Sequence, residues 1–181
     1  LKRGTTLTAT SLTFGEQCMA SGGTGTVITM NGGTQNISST ATGTVVTMNS
    51  GRQYIKSDAT GTISTMNSGA QLISSGGTGT ISTLNSGQQE IYSGGTGTVS
   101  TTMSKSAVML IASGGTGTVI TMNGGTQNIN NYGNGTVNTM NSGSQYVGSG
   151  GSGTVSDMNG GFQSVSNGGT GTVSTMNGGT Q

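Results

Sequence analysis

A period of eighteen residues constrains this chain more than any other feature of it. The dipeptide Gly-Thr serves as the ruler. Its glycines are Gly25, Gly43, Gly61, Gly79, Gly97, Gly117, Gly135, Gly153 and Gly171, each 18 residues after the last except for the step of 20 from Gly97 to Gly117. Leu7 takes the glycine slot of a first turn, in which Gly15 and Gln17 align with Gly33 and Gln35. The chain thus holds about ten turns, the last stopping part-way at Gln181. With Gly25 as position one, the unit reads G-T-V-x-T-M-N-x-G-x-Q-x-I-x-S-G-G-T. Such a unit is too small to bury its own apolar face, so the units must stack, and periods of this size specify solenoids.

Two stretches of the unit have strand character. T-G-T-V-x-T places β-branched residues at alternate sites, and x-Q-x-I-x-S alternates likewise. Asn and Gly separate them on one side and Gly-Gly on the other, and these residues reach positive φ cheaply. With 37 glycines in 181 residues a helical reading fails. The expected fold is therefore all-β: a parallel β-helix forming one domain over residues 1–181, rising ~4.8 Å per turn into a rod about 45 Å long. The longer turn, residues 98–116, is expected to hold a two-residue bulge that loops outward. Its extra residues are expected to be one of Thr101 and Thr102, together with Met109, with Lys105 beside the turn. Leu1–Thr6 is too short for a strong cap, so both ends are expected to meet further turns of a longer array.

Comparing the turns separates inside from outside. Position three is Val or Ile from Val27 to Val173, position six is Met or Leu from Leu12 to Met176, and position thirteen is mostly Ile from Ile37 to Ile129. These columns make the core, and the Met column reads as a flexible filler of a corner rather than a row of metal-binding thioethers. Gln17, Gln35, Gln53, Gln71, Gln89, Gln127, Gln145, Gln163 and Gln181 share the strand face of position thirteen and are expected to point inward as an amide ladder. The Asn column from Asn31 to Asn177 is expected to stabilise turns. Positions ten, twelve and fourteen vary freely, with Glu16, Arg52, Tyr54, Lys56, Leu72, Glu90, Tyr92, Asn128, Tyr146 and Phe162 among their occupants. Strand alternation turns them to solvent.

Several function classes fail on chemistry. A net charge of +1 with five Lys and Arg cannot supply the basic stripe that nucleic acid needs. No apolar run approaches the roughly 18 residues of a membrane helix. Gly-Gly-Thr-Gly-Thr recurs in most turns with no helix after it, so it is not a phosphate loop. The calcium β-roll needs Asp where this chain has Val27, Val119 or Val173. There is no His for a catalytic base. The four acids are Glu16, Asp58, Glu90 and Asp157. Asp58 and Asp157 lie about six turns, or ~28 Å, apart in register, too far for a paired-carboxylate mechanism. Neither an enzyme nor a cofactor or metal is expected, and the single cysteine, Cys18, has no partner for an intramolecular disulfide.

The phrases Ser21-Gly-Gly-Thr-Gly-Thr-Val and Asn31-Gly-Gly-Thr-Gln-Asn-Ile resemble the passenger repeats of AIDA-type autotransporter adhesins, and related phrases run from about Thr8 to Gln181. The resemblance implies a right-handed parallel β-helix on the bacterial cell surface or outside the cell, where it mediates adhesion, self-aggregation or biofilm formation. The implied partners are a second copy or a host or bacterial surface, with O-glycans on Ser or Thr. This chain's period is stricter and slightly shorter than the family's, and it reads as a passenger fragment. The expected contact face is Arg52, Tyr54, Lys56, Tyr92, Tyr146 and Phe162, because exposed aromatic and charged groups dominate recognition. A second surface stands beside it: Thr24 and Thr26 recur as Thr42 and Thr44, Thr60 and Thr62, and Thr78 and Thr80. That array resembles the T-x-T face of β-helical antifreeze proteins, so ice binding is the alternative function, and another extracellular structural fibre is a third.

Overall fold

The computed structural model describes residues 4–56, 58–74, 76–112, 114–130, 132–166 and 168–181. In the first turn the backbone runs as β1 (Thr6–Leu12) and β2 (Glu16–Met19), divided at a glycine corner. The next two turns pass through that corner as single strands, β3 (Thr24–Ile37) and β4 (Thr42–Ile55). The fourth divides into β5 (Thr60–Met66) and β6 (Ala70–Ile73). Four more turns run through, as β7 (Thr78–Ile91), β8 (Thr96–Ile111), β9 (Thr116–Ile129) and β10 (Asn134–Val147). The stack finishes with β11 (Ser152–Met158), β12 (Phe162–Val165) and β13 (Thr170–Met176).

Every pairing between strands is parallel, and outside the corners it joins a residue to its counterpart one repeat on, as in Thr24↔Thr42 and Gln35↔Gln53. The first limb gives ten rungs in the order β1-β3-β4-β5-β7-β8-β9-β10-β11-β13, and the second limb gives nine. The protein is a parallel β-solenoid of nine complete turns and part of a tenth. Leu7 pairs with Gly25 and Gln17 with Gln35, as the alignment of the first turn requires. The corner differs from the sequence reading. Instead of a loop between two strands, six turns keep the strand continuous and absorb the bend as a register shift, between Met30 and Thr34 in β3 for example. Gly33 and Gly51 hold positive φ there, and a Cβ on Gly51 would stand 2.8 Å from the Gly33 carbonyl oxygen. The corner backbones stack too closely for side chains.

The core is thin, and glycine is what thins it. The Val, Met and Ile columns are fully buried through the middle of the stack, as at Val45, Met48 and Ile55. Position one faces inward from the opposite limb. A Cβ on Gly43 would meet Ile37 Cδ1 at 2.2 Å and Gln35 Oε1 at 2.9 Å, and Gly61, Gly79 and Gly135 repeat the arrangement. The space of each missing side chain is filled by the Ile and Gln of the preceding turn. Leu7 has no preceding turn beneath it among the described residues, and a side chain fits there.

The glutamines form the expected ladder. Gln35 Nε2 donates to Gln17 Oε1 at 2.7 Å, Gln53 to Gln35 at 2.6 Å, Gln71 to Gln53 at 2.7 Å and Gln89 to Gln71 at 2.7 Å. The same amides also reach across the core to the glycine carbonyls, as Gln89 Nε2 does to Gly79 O at 3.3 Å. A second ladder runs along the exposed corner, where Asn49 Nδ2 donates to Asn31 Oδ1 at 2.8 Å and Asn67 to Asn49 at 2.9 Å.

The sixth turn interrupts both ladders and corrects one expectation. Ile81 pairs with Val99 and Thr83 with Thr102, so one extra residue lies in Ser100–Thr101. Leu84 pairs with Met103 and Ser86 with Ser106, so the second lies in Ser104–Lys105. Met109 is not an insertion. It pairs with Gln89, occupies the Gln column and is fully buried. Gln127 Nε2 meets its sulfur at 3.2 Å, but a thioether donates nothing in return, and Gln89 Oε1 is left buried without a hydrogen bond. Gln127 onward, the ladder resumes, with Gln145 to Gln127 at 2.6 Å.

Two outcomes are expected. Gly43→Ala forces a methyl into Ile37 and destabilises by about 1–3 kcal/mol, read as a lower urea midpoint. Met109→Gln supplies the missing donor to Gln89 Oε1 in a side chain of similar length. It stabilises by about 1–2 kcal/mol, since an unsatisfied buried acceptor costs roughly that much, and the same titration shows a higher midpoint.

Candidate interaction face

Outward residues of the second limb line up in register because the ladder beneath them fixes the register. At position twelve Tyr54 pairs with Leu72 and Leu72 with Glu90. At position ten Arg52 pairs with Ala70 and Ala70 with Gln88. The sixth turn continues the columns with Val108 opposite Gln88 and Leu110 opposite Glu90. Ser144 and Tyr146 of the eighth turn stand opposite Phe162 and Ser164 of the ninth. Position fourteen lies just past the strand ends, so Lys56 and Tyr92 rim the face.

The sequence-selected residues fall into three groups along this face. Arg52, Tyr54 and Lys56 share the third turn, and the Lys56 ammonium sits 5.7 Å from the centre of the Tyr54 ring. That contact is a cation–π pair, which holds the positive charge over the face. Two turns on, the Tyr92 hydroxyl donates to the Glu90 carboxylate. This hydrogen bond, then partial desolvation, pushes the Tyr92 hydroxyl above its usual range, so the phenol stays neutral beside an anion. Three turns further, Tyr146 and Phe162 meet edge to face, their ring centres 5.3 Å apart at 82°. Tyr92, Tyr146 and Phe162 remain exposed.

Val108 and Leu110 belong to these columns, and their apolar character was legible once the extra residues were placed correctly. Tyr132, 79% exposed at a positive-φ corner, was not selected from the sequence. It occupies a site that is Gly76, Gly94 and Gly150 in other turns, and its ring covers Gly150. Phe14 is also exposed, at the first corner. On the first limb, Thr24, Thr42, Thr60 and Thr78 are exposed, and Thr26, Thr44, Thr62 and Thr80 are half-buried in an unbroken register. Between the limbs a shallow groove of about 560 Å³ runs past Gly33, Gly51, Gly69, Ser50 and Ser68 to Arg52.

Among the described residues, the four acids stand apart from one another. Glu16 accepts a hydrogen bond from Asn36 at the first rungs, Asp58 sits in a corner at φ 61°, Glu90 is bound to Tyr92, and Asp157 pairs with Thr139 and Thr175 on the first limb. Among the described residues, no three His, Cys, Asp or Glu side chains are grouped to hold a metal ion. Cys18 is exposed, and desolvation followed by the neighbouring Glu16 carboxylate pushes its thiol above the usual range. It is a poor nucleophile at neutral pH.

No family model matches the chain, and no curated protein matches it. Among solved structures it is similar to the crystal structure of a TibA55-350 fragment hyper-glycosylated by TibC catalysis. The identity is 20% and the TM-score 0.59, over 98% of this chain and 100% of that one. At that identity the likeness carries the solenoid architecture, which the two chains share along essentially their whole length.

Proposed function

We propose that this protein is an extracellular repeat scaffold, displayed on a bacterial cell surface, that mediates adhesion or self-aggregation through the outward columns of its second limb. One observation carries the reading. The inward columns are uniform from turn to turn, whereas positions ten, twelve and fourteen carry Arg52, Leu72, Glu90, Tyr146 and Phe162 in one register. A folding requirement acts alike on every turn and produces uniform columns, so residues that differ there are free for recognition. Aromatic side chains on a flat sheet offer large contact area at low entropy cost. The shared architecture with a TibA fragment agrees with a passenger domain, and the wording of the repeats points the same way. That fragment is hyper-glycosylated, and the outward Thr columns here offer hydroxyls at every rung to a comparable modification.

A second reading rests on the Thr columns themselves. Position two is Thr at all ten rungs, from Thr8 to Thr172, an unbroken row that would present regularly spaced hydroxyls and methyls to an ice surface. Thermal hysteresis with faceted ice crystals would support it.

The experiment replaces Tyr54, Tyr92, Tyr146 and Phe162 with Ser and measures the settling of cells that display the protein. Aggregation is expected to fall at least several-fold while circular dichroism keeps its β signal. Unchanged aggregation by a folded variant removes this face from the function. Loss of activity on replacing Thr24, Thr42, Thr60 and Thr78 with Ala would move it to the first limb.

A further inference from the structure

The exposed corner ladder runs from Asn31 to Asn85, stops at the sixth turn and resumes from Asn123 to Asn177. All of its asparagines are exposed. The residue that follows each of them divides the column. It is Ser after Asn49, Asn67, Asn85 and Asn141, and Gly after Asn31, Asn123, Asn159 and Asn177. An asparagine before glycine is open to attack by the next backbone nitrogen, because glycine has no Cβ to obstruct the approach and bends freely. The ladder decides which of these sites can use that freedom.

We propose that Asn31 is a site of self-modification, at which the foot of the ladder converts to a carboxylate. The Gly32 backbone nitrogen attacks Asn31 Cγ and loses its proton. The new C–N bond closes a five-membered succinimide, and the side-chain nitrogen leaves as ammonia. Water then adds to one of the two ring carbonyls and breaks its bond to the ring nitrogen. Opening at the side-chain carbonyl gives aspartate; opening at the main-chain carbonyl gives isoaspartate, with the chain running through the side-chain carbons. Only water is consumed, and the net charge of +1 falls by one unit.

Ring closure requires the side chain to leave the ladder, and the four sites differ in what holds them. Asn159 donates to Asn141 at 3.0 Å and accepts from Asn177 at 3.0 Å. The attacking nitrogens at Gly160 and Gly178 are themselves bonded to the Met140 and Met158 carbonyls of the preceding turns. Asn123 precedes a buried glycine, Gly124, that packs on Lys105. Asn31 has no amide beneath it to donate to, since the first turn has Thr13 at that place. It only accepts, from Asn49, and the strand shifts register on both sides of it.

The product also fits at Asn31 and not higher up. A carboxylate there still accepts from Asn49 Nδ2, so no ladder bond is lost. A carboxylate at Asn67 would keep the bond from Asn85 but set an acceptor against Asn49 Oδ1. A modified foot thus adds negative charge beside the groove that begins at Gly32 and leaves the stack intact.

The test holds the folded protein in heavy-oxygen water at mildly alkaline pH and maps its peptides by mass spectrometry over time, so that only newly hydrolysed sites carry label. Label is expected at residue 31 several-fold sooner than at 159 or 177, as aspartate and isoaspartate, with Asn49 unchanged. In denaturing urea the four Asn-Gly sites are expected to react at similar rates. Asn141→Ala, which removes the acceptor of Asn159, is expected to speed labelling at 159 and leave 31 as it was. Asn31→Asp is expected to keep the native urea midpoint, and Asn67→Asp to lower it. An unlabelled Asn31, or Asn159 and Asn177 reacting as fast as Asn31 in the folded protein, overturns the proposal. A midpoint that falls as far for Asn31→Asp as for Asn67→Asp overturns the tolerance of the foot.

Discussion

The distance between the two limbs governs everything else in this solenoid. It is set at the glycine column, where Gly43, Gly61 and Gly79 leave room for the Ile and Gln side chains of the preceding turn. An amide buried in so thin a core must have its hydrogen bonds met, since each unmet group costs about 1–3 kcal/mol. The ladder meets them along the axis, Gln to Gln, and across the core to glycine carbonyls. Slipping one turn by a single residue would turn every Gln and Ile of that turn outward and break the amide chain on both sides. The ladder therefore acts as a register lock, which apolar columns alone would supply only weakly.

Register is what gives the surface its meaning. Because each rung stands directly on the one before, a residue placed at position twelve falls in the same column in every turn. Single substitutions in the repeat thus become adjacent features on a flat face: a cation on a tyrosine, a leucine, a carboxylate on a tyrosine. The first limb offers the opposite, a nearly invariant lattice of threonines. One fold carries a regular face and an individual face back to back, and the core between them is indifferent to both.

The sixth turn shows how far the lock tolerates error. Two extra residues in β8 are absorbed at separate places, one before Thr102 and one before Ser106, so neither shifts the Ile column. Splitting the insertion returns the strand to register before the core residue Ile111 is reached. The cost appears in the ladder, where Met109 takes the place of a glutamine, offers only a weak sulfur acceptor to Gln127 and has no donor for Gln89 Oε1. It appears again on the corner, where the sixth turn has no asparagine to extend the exposed ladder and the exposed Lys105 packs beside Gly124 of the next turn. Packing and the backbone ladder continue through the turn although the side-chain amide ladders do not.

The sequence by itself determined the period, the parallel stack, the three apolar columns, the inward Gln ladder and which columns face outward. Each of these repeats some nine times, and a column of ten residues reports its environment without homologues. Local chemistry used once was not legible in this way. Met109 was misplaced because a two-residue insertion can be distributed in several ways along a strand, and only the pairing of Leu84 with Met103 and Gln89 with Met109 decides among them. That the corner is a bulged continuation of one strand, not a loop, depended on how closely the Gly33 and Gly51 backbones stack. The pairing of Tyr146 with Phe162, of Lys56 with Tyr54 and of Tyr92 with Glu90 likewise came from tertiary structure. Repetition fixes which column a residue belongs to; where its side chain turns within that column depends on neighbours that each occur only once.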